Sequence, residues 1–178
     1  MRVIAGEFRS RVLKTLPGLD TRPTPDRLRE ALFSILQAVI RGSTFMDAYA
    51  GTGAVGIEAL SRGASRAIFI ERSRGAANVI RENLQALSVY SRAELIQGRT
   101  LQYLKQRTAD IVFLDPPYER AAEYSDALTI LGEMATSLVI AQHESRKELA
   151  LTYGHLQRTR VLKQGDNTLS FYKPATSE

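Results

Sequence analysis

The chain of 178 residues contains no cysteine. Without thiols there is no disulfide framework, no thiolate nucleophile and no Cys-ligated zinc or iron–sulfur site. Histidine is scarce too: His143 and His155 lack the spacing of a metal-binding pair and read as ordinary structural residues, so no metal centre is expected. No apolar run approaches the ~20 residues that a membrane span needs. The opening Met1-Arg2-Val3-Ile4-Ala5-Gly6-Glu7 lacks the apolar centre of a secretory leader. The expectation is a cytoplasmic protein without membrane or metal. Internal repeats and low-complexity segments are also absent.

What is present is an ordinary globular composition, with 44% apolar and 24% charged residues, enough to build a core. The length fits one domain. We expect residues 1–178 to form it, with 1–24 as a basic hairpin extension and lead-in and 25–178 as a helix followed by an α/β core. The formal charge is +5. Residues 1–43 hold eight basic groups against four acidic ones, so nearly all the excess lies in the first quarter. A polyanionic partner would account for that, and a solvated basic surface is the plainer alternative. The candidate phosphate contacts are Arg9 and Arg11 on the hairpin and Arg22, Arg27 and Arg29 near the first helix.

Residues 1–16 alternate apolar and basic positions, which predicts a small β-hairpin. Thr21-Arg22-Pro23-Thr24-Pro25-Asp26 is extended, because a residue before proline is pushed away from helix. Thr24 is placed as an N-cap with Pro25 at the first helical position. Leu28, Ala31, Leu32, Ile35, Leu36 and Val39 then follow a helical period. From residue 44 strands and helices alternate, with strands at 45–47, 67–71, 93–97, 111–114 and 137–141 and helices between them. Segments 158–163 and 168–173 pair across Gly165-Asp166-Asn167. The pattern predicts a mostly parallel, doubly wound, Rossmann-like sheet of seven strands with an antiparallel C-terminal strand.

Two stretches carry chemistry. Ile111-Val112-Phe113-Leu114 reads as a strand buried on both faces, and Asp115-Pro116-Pro117-Tyr118 stops it. Asp115 therefore stands at the carboxyl end of a central strand, where open α/β sheets bind ligands. A carboxylate, the Pro116 carbonyl and the Tyr118 ring suit a planar base carrying an exocyclic amino group. The second stretch is Gly51-Thr52-Gly53-Ala54-Val55-Gly56, a G-x-G-x-x-G turn between a strand and a helix. Glu71 closes the next strand, 20 residues after Gly51, where an acid can accept from ribose hydroxyls. Those two features also fit a nicotinamide enzyme. Asp47 argues against it, since an acid at the loop's entrance would repel a pyrophosphate and suits an ammonium-bearing ligand such as S-adenosylmethionine.

Asp47-Ala48-Tyr49-Ala50-Gly51-Thr52-Gly53 with Glu71 and Asp115-Pro116-Pro117-Tyr118 resembles the class I S-adenosylmethionine-dependent methyltransferases that modify exocyclic amino groups. Arg22-Pro23-Thr24, Asp26-Arg27, Arg29-Glu30 and Leu32-Phe33 resemble the bacterial 16S ribosomal RNA guanine-N2 methyltransferase family, as do Ile4-Ala5-Gly6 and Arg9-Ser10-Arg11. The resemblance implies S-adenosylmethionine as cofactor. It implies a monomer acting on 16S ribosomal RNA within the small subunit or an assembly intermediate. By position it puts Asp47, Ala48, Gly51 and Gly53 on the methionine side of the cofactor and Glu71 and Arg72 at the ribose. Gly98, Arg99 and Thr100 fall near the adenine, and Asp115, Pro116 and Tyr118 at the target base, with Asp115 also touching the cofactor. Two positions depart from the family pattern. Arg99 stands where an acceptor Asp or Asn is usual, and Ser10 replaces a frequent glycine. The alternatives are an adenine-N6 or other exocyclic-amino methyltransferase of nucleic acid, and a non-catalytic RNA-binding module.

Overall fold

The computed structural model describes residues 1–18 and 24–176. The predicted contact Arg22 lies outside the described residues. The helices are α1 (Asp26–Leu36), α2 (Ala54–Ser61), α3 (Arg74–Ala86), α4 (Thr100–Tyr103) and α5 (Ala122–Leu131). The strands are β1 (Thr44–Asp47), β2 (Arg66–Glu71), β3 (Ala93–Gln97), β4 (Ile111–Leu114), β5 (Leu138–Glu144), β6 (Thr152–Tyr153), β7 (Leu156–Gln164) and β8 (Asn167–Pro174). They form one sheet in the order β3-β2-β1-β4-β5-β8-β7-β6. The first five are mutually parallel, and β8 inserts antiparallel between β5 and β7. The fold is thus the expected Rossmann-like α/β sheet, with eight strands rather than seven. The additional one is β6, two residues that pair with the start of β7.

Alternation along the strands divides the core. Met46, Ile68, Val112, Leu114, Val139 and Ala141 face one side, packed under α5 through Tyr124, Leu128 and Leu131. Phe45, Ile111, Phe113, Leu138 and Ile140 face the other, beneath α1 through Leu28, Leu32 and Leu36. A third cluster joins α2 and α3 to the N-terminal segment through Val3, Phe8 and Leu13. Residues following β1 and β4 therefore meet where the strand order reverses, and a crevice opens there.

The N-terminal segment makes a hairpin-like turn with a single bridge, Arg2 to Val12, rather than a regular ladder. Its backbone is held by a helix instead. The buried Glu58 carboxylate of α2 accepts from Ile4 N at 2.9 Å and Ala5 N at 3.0 Å and also pairs with Arg62 at 2.8 Å. Ser61 Oγ accepts from Phe8 N at 2.9 Å. Ser10 turns the segment with φ +67, a left-handed conformation that favours glycine, which explains why glycine is frequent at this place.

Two local expectations change at α1. Pro25 occupies the cap position with φ −53 and ψ 141, and the Thr24 hydroxyl donates to Gln142 Oε1 at 3.3 Å instead of capping the helix. The helix ends at Leu36, so Val39 lies beyond it and is exposed.

Glu58→Ala should leave two backbone donors and Arg62 without their acceptor and lower the unfolding free energy by roughly 3–5 kcal/mol, the usual cost of breaking a buried charged contact. Urea denaturation of parent and variant checks this; a change below about 1 kcal/mol would show that the carboxylate does not anchor the N-terminus.

Candidate active site

A cleft of about 1330 Å³ lies over the carboxyl ends of β1, β2 and β4. β1 delivers Asp47 to its floor. The residue is 1% exposed, and its carboxylate accepts from Gly56 N at 2.9 Å, which pins the glycine turn back onto the strand. Two glycines in that turn are obligatory. Gly53, at φ +84, is the cap residue of α2, and a side chain there would also press on Ile80 at 3.1 Å. A Cβ on Gly56 would meet the buried Phe69 ring at 2.3 Å, so only glycine lets α2 pack this close to β2.

β2 delivers Glu71. Its oxygens accept from Gly51 N and Ser73 N, both at 2.7 Å. Each oxygen keeps a lone pair, so the carboxylate can still take two hydroxyl donors from the cleft. Burial pushes the Glu71 carboxyl up, and the two backbone donors partly offset this.

β4 delivers Asp115. Among the described residues no donor bonds its carboxylate. Burial and the nearby Asp47 raise it to about 7. Burial likewise raises Asp47 to about 7, with Glu71 adding to the rise and the Gly56 N–H opposing it. After Asp115 the chain passes through the buried Pro116 and the exposed Pro117 into a 3-10 turn over Tyr118–Arg120. That turn leaves the Tyr118 ring 45% exposed beside the carboxylate. Two consecutive prolines fix φ at both positions, which narrows the range of relations between the Pro116 carbonyl and the backbone of Tyr118.

Three acids thus converge without a cationic partner on Asp47 or Asp115 among the described residues. Such a floor favours a cation and opposes a pyrophosphate. S-adenosylmethionine fits this arrangement: it carries a sulfonium and an ammonium, and its two ribose hydroxyls match the lone pairs of Glu71.

The cleft gathers most of the residues expected from sequence. Asp47, Gly51, Glu71, Arg72, Arg99, Thr100, Asp115, Pro116 and Tyr118 all line it. Ala48, Gly53 and Gly98 do not, and act as support. Ala48 is fully buried and its carbonyl accepts from the Thr100 hydroxyl, so Thr100 reaches the cleft with its hydroxyl already used. Gly98 N bonds the Glu71 carbonyl at 3.0 Å. Arg99 is exposed at the rim. Sequence reasoning gave no site role to Thr24, Arg120, Glu123 or Gln142, which also line the cleft.

The expected RNA contacts divide. Arg27 is exposed on the first turn of α1, close to Thr24 at the cleft. Arg9 and Arg11 are exposed at the far end of the N-terminal turn, where Arg11 Nη2 donates to Ala86 O at 3.0 Å at the end of α3. Arg29 is a correction. It is fully buried, and its Nη2 donates to Arg2 O at 2.8 Å and to Asp26 at 3.1 Å, so it cannot face a phosphate. Its helical position explains this: Phe33 and Leu36, four and seven residues on, share the buried face. Among the described residues no cluster of three or more acidic or histidine side chains is arranged to hold a metal. No helix among them is long and apolar enough to cross a membrane.

Comparison with known proteins places this geometry. The family described as "Conserved hypothetical protein 95" matches residues 1–173. Over 182 residues the chain is 34% identical to the Bacillus subtilis protein named "Putative rRNA methyltransferase YlbH", covering 97% of this chain and 98% of the relative. Over 172 residues it is 37% identical to Haemophilus influenzae ribosomal RNA small subunit methyltransferase D, covering 94% of this chain and 84% of the relative. The Escherichia coli structure described as "Putative methyltransferase yhhF" superposes with a TM-score of 0.86 at 31% identity, covering 98% of this chain and 97% of that one. The chain therefore belongs to the Conserved hypothetical protein 95 family, alongside ribosomal RNA small subunit methyltransferase D.

Proposed function

We propose that this chain is an S-adenosylmethionine-dependent methyltransferase that modifies the exocyclic N2 amino group of a guanine in 16S ribosomal RNA. The observation that carries the reading is one cleft holding both Asp47 with Glu71 and Asp115 with Pro116 and Tyr118. The names of the relatives support ribosomal RNA as the substrate.

When bound, the cofactor supplies an electrophilic methyl group on a sulfonium. Asp47 and Glu71 hold its cationic and ribose ends. Asp115 and the Pro116 carbonyl accept the two hydrogens of the target amino group, which draws the nitrogen lone pair out of conjugation with the ring. Tyr118 stacks on the base and fixes its plane. Asp115, at about 7 in the free protein, is matched to receiving a proton near neutrality. By fixing the base in one position beside Asp47 and Glu71, these residues would supply much of the acceleration through proximity. The base reaches the cleft unpaired, from a loop or by leaving its stack. Arg72 and Arg99 line the cleft as exposed cations able to meet the RNA backbone, and Arg27 is exposed on the first turn of α1.

Nucleoside mass spectrometry of 16S RNA incubated with the protein and cofactor should show N2-methylguanosine. Asp115→Ala should lower that product by at least about 100-fold, the lower range for a lost acid–base group. Methylated adenosine in place of guanosine would overturn the base assignment. Parent-rate turnover by the variant would remove Asp115 from the chemistry.

The cofactor's charge also gives a pH signature. Asp47 and Asp115 have folded values raised above 3.8. What they contribute to the free protein's stability is therefore present below pH about 4 and lost as pH rises through about 7. A bound cation reverses this by favouring both ionised forms. Cofactor binding should then release protons at pH 7, and affinity should fall on going from pH 8 to pH 6, by about tenfold per pH unit for each proton released. Calorimetry in buffers of different ionisation heat measures the proton count, and a count of zero would place the cationic end away from these acids.

RNA docking is read from salt dependence. Arg27→Ala should flatten the slope of log affinity against log salt by about one unit or less, the share of one phosphate contact. The double change Arg9→Ala and Arg11→Ala should flatten it further if the footprint extends along the N-terminal turn. A slope equal to the parent's would assign that end of the turn to solvent.

A further inference from the structure

β5 continues three residues beyond its apolar run, into Gln142, His143 and Glu144. Leu114 of β4 is in register with Ala141 of β5, so one step further Asp115 stands beside Gln142. Alternation sends both side chains to the same face of the sheet. Ile111 and Phe113 precede Asp115 at every second position, Leu138 and Ile140 precede Gln142, and all four pack in the cluster beneath α1. The base-binding carboxylate therefore has a carboxamide as its neighbour on the adjoining strand.

That carboxamide is 4% exposed and lines the cleft with Asp115, Pro116 and Tyr118. It also lines a second cavity of about 220 Å³ on the other side of Tyr118. The Thr24 hydroxyl donates to its Oε1 at 3.3 Å. Oε1 retains a second lone pair, and Nε2 has no protein partner among the described residues. The amide therefore meets the cleft with spare donor and acceptor capacity that a ligand there can use.

Guanine held by its N2 amino group presents the next two groups of its edge in a fixed order: N1–H, a donor, then O6, an acceptor. An amide offers an acceptor and a donor side by side. We propose that Gln142 reads the base, with Oε1 accepting from N1–H and Nε2 donating to O6, while Thr24 is a positioning residue that orients the amide. The proposal rests on the guanine reading above. Adenine held by its N6 amino group presents N1, an acceptor, then C2–H, so the same amide can satisfy only one bond after turning over. Gln142 thus separates two bases that Asp115, Pro116 and Tyr118 would hold equally well.

The test uses RNA whose target guanine is replaced by 2-aminopurine, which keeps the amino group and lacks both N1–H and O6. The parent should methylate guanine RNA with kcat/KM at least ~10-fold above 2-aminopurine RNA, the lower range for a bidentate base contact. Gln142→Leu should reduce kcat/KM for guanine RNA by a similar factor, lower that for 2-aminopurine RNA by less, since the turned-over amide keeps at most one bond to its N1, and bind cofactor as the parent does. The collapse of the ratio is the readout, because general damage to the fold would lower both substrates together. If Gln142→Leu loses cofactor binding, Thr24→Val takes its place, and the ratio should fall by ~3-fold or more from loss of one orienting hydrogen bond. A Gln142→Leu protein, or in that case a Thr24→Val protein, that keeps the parent ratio overturns the proposal. Failure of the guanine reading itself is seen in the parent alone, as a nucleoside digest without N2-methylguanosine.

Discussion

Asp47 and Asp115 occupy one poorly solvated floor, where Asp47 raises the pKa of Asp115 and Glu71 that of Asp47, and the rest of the molecule is arranged so that they stay there. Like charges in a low-dielectric setting repel, and a flexible chain would separate them or admit water. Here they are carried by β1 and β4, adjacent parallel strands whose register is set by the burial of Phe45, Ile111 and Phe113 beneath α1. A slip of one residue would turn these apolar side chains to the opposite face, so hydrophobic burial holds the acids in place. The Gly56 N–H supplies a partial compensation at Asp47. Stability is given up locally so that charge is preorganised where a cation arrives.

The N-terminal segment serves the same end from outside the sheet. Glu58 and Ser61 of α2 take up its backbone donors, and Asp47 takes up the Gly56 N–H of the same helix. One helix is therefore tied at its start to the cofactor side of the cleft and along its length to the basic segment. Met1, Thr15 and Leu16 come back to the cleft mouth, so this segment borders the opening even though Arg9 and Arg11 lie at its far end.

Much of this could be read from sequence, because the signals were local. Two prolines must end a strand, a glycine turn between strand and helix must be tight, and alternating elements must wind a parallel sheet. Asp47, Glu71 and Asp115 followed from those constraints. What escaped depended on long-range burial. The apolar pattern ends the strand at residue 141 and leaves Gln142-His143-Glu144 outside it, yet β8 pairs with all three and buries Gln142 and His143. Arg29 reads as a phosphate contact because it is charged, although the helical period that correctly buries Phe33 and Leu36 buries it too. Thr24 has the chemistry of an N-cap, and a distant amide took its hydroxyl. β6 is two residues long and has no pattern to detect.

The insertion of β8 between β5 and β7 also bears on how the molecule is made. β1 and β2, which carry Asp47 and Glu71, pair with each other early in the chain, and the helix between them already has its N-terminal partners. β5 obtains its second neighbour only when residues 167–174 arrive. Synthesis from the N-terminus therefore lets the two strands that carry Asp47 and Glu71 pair in the nascent chain before the strand beside Asp115 is flanked on both sides.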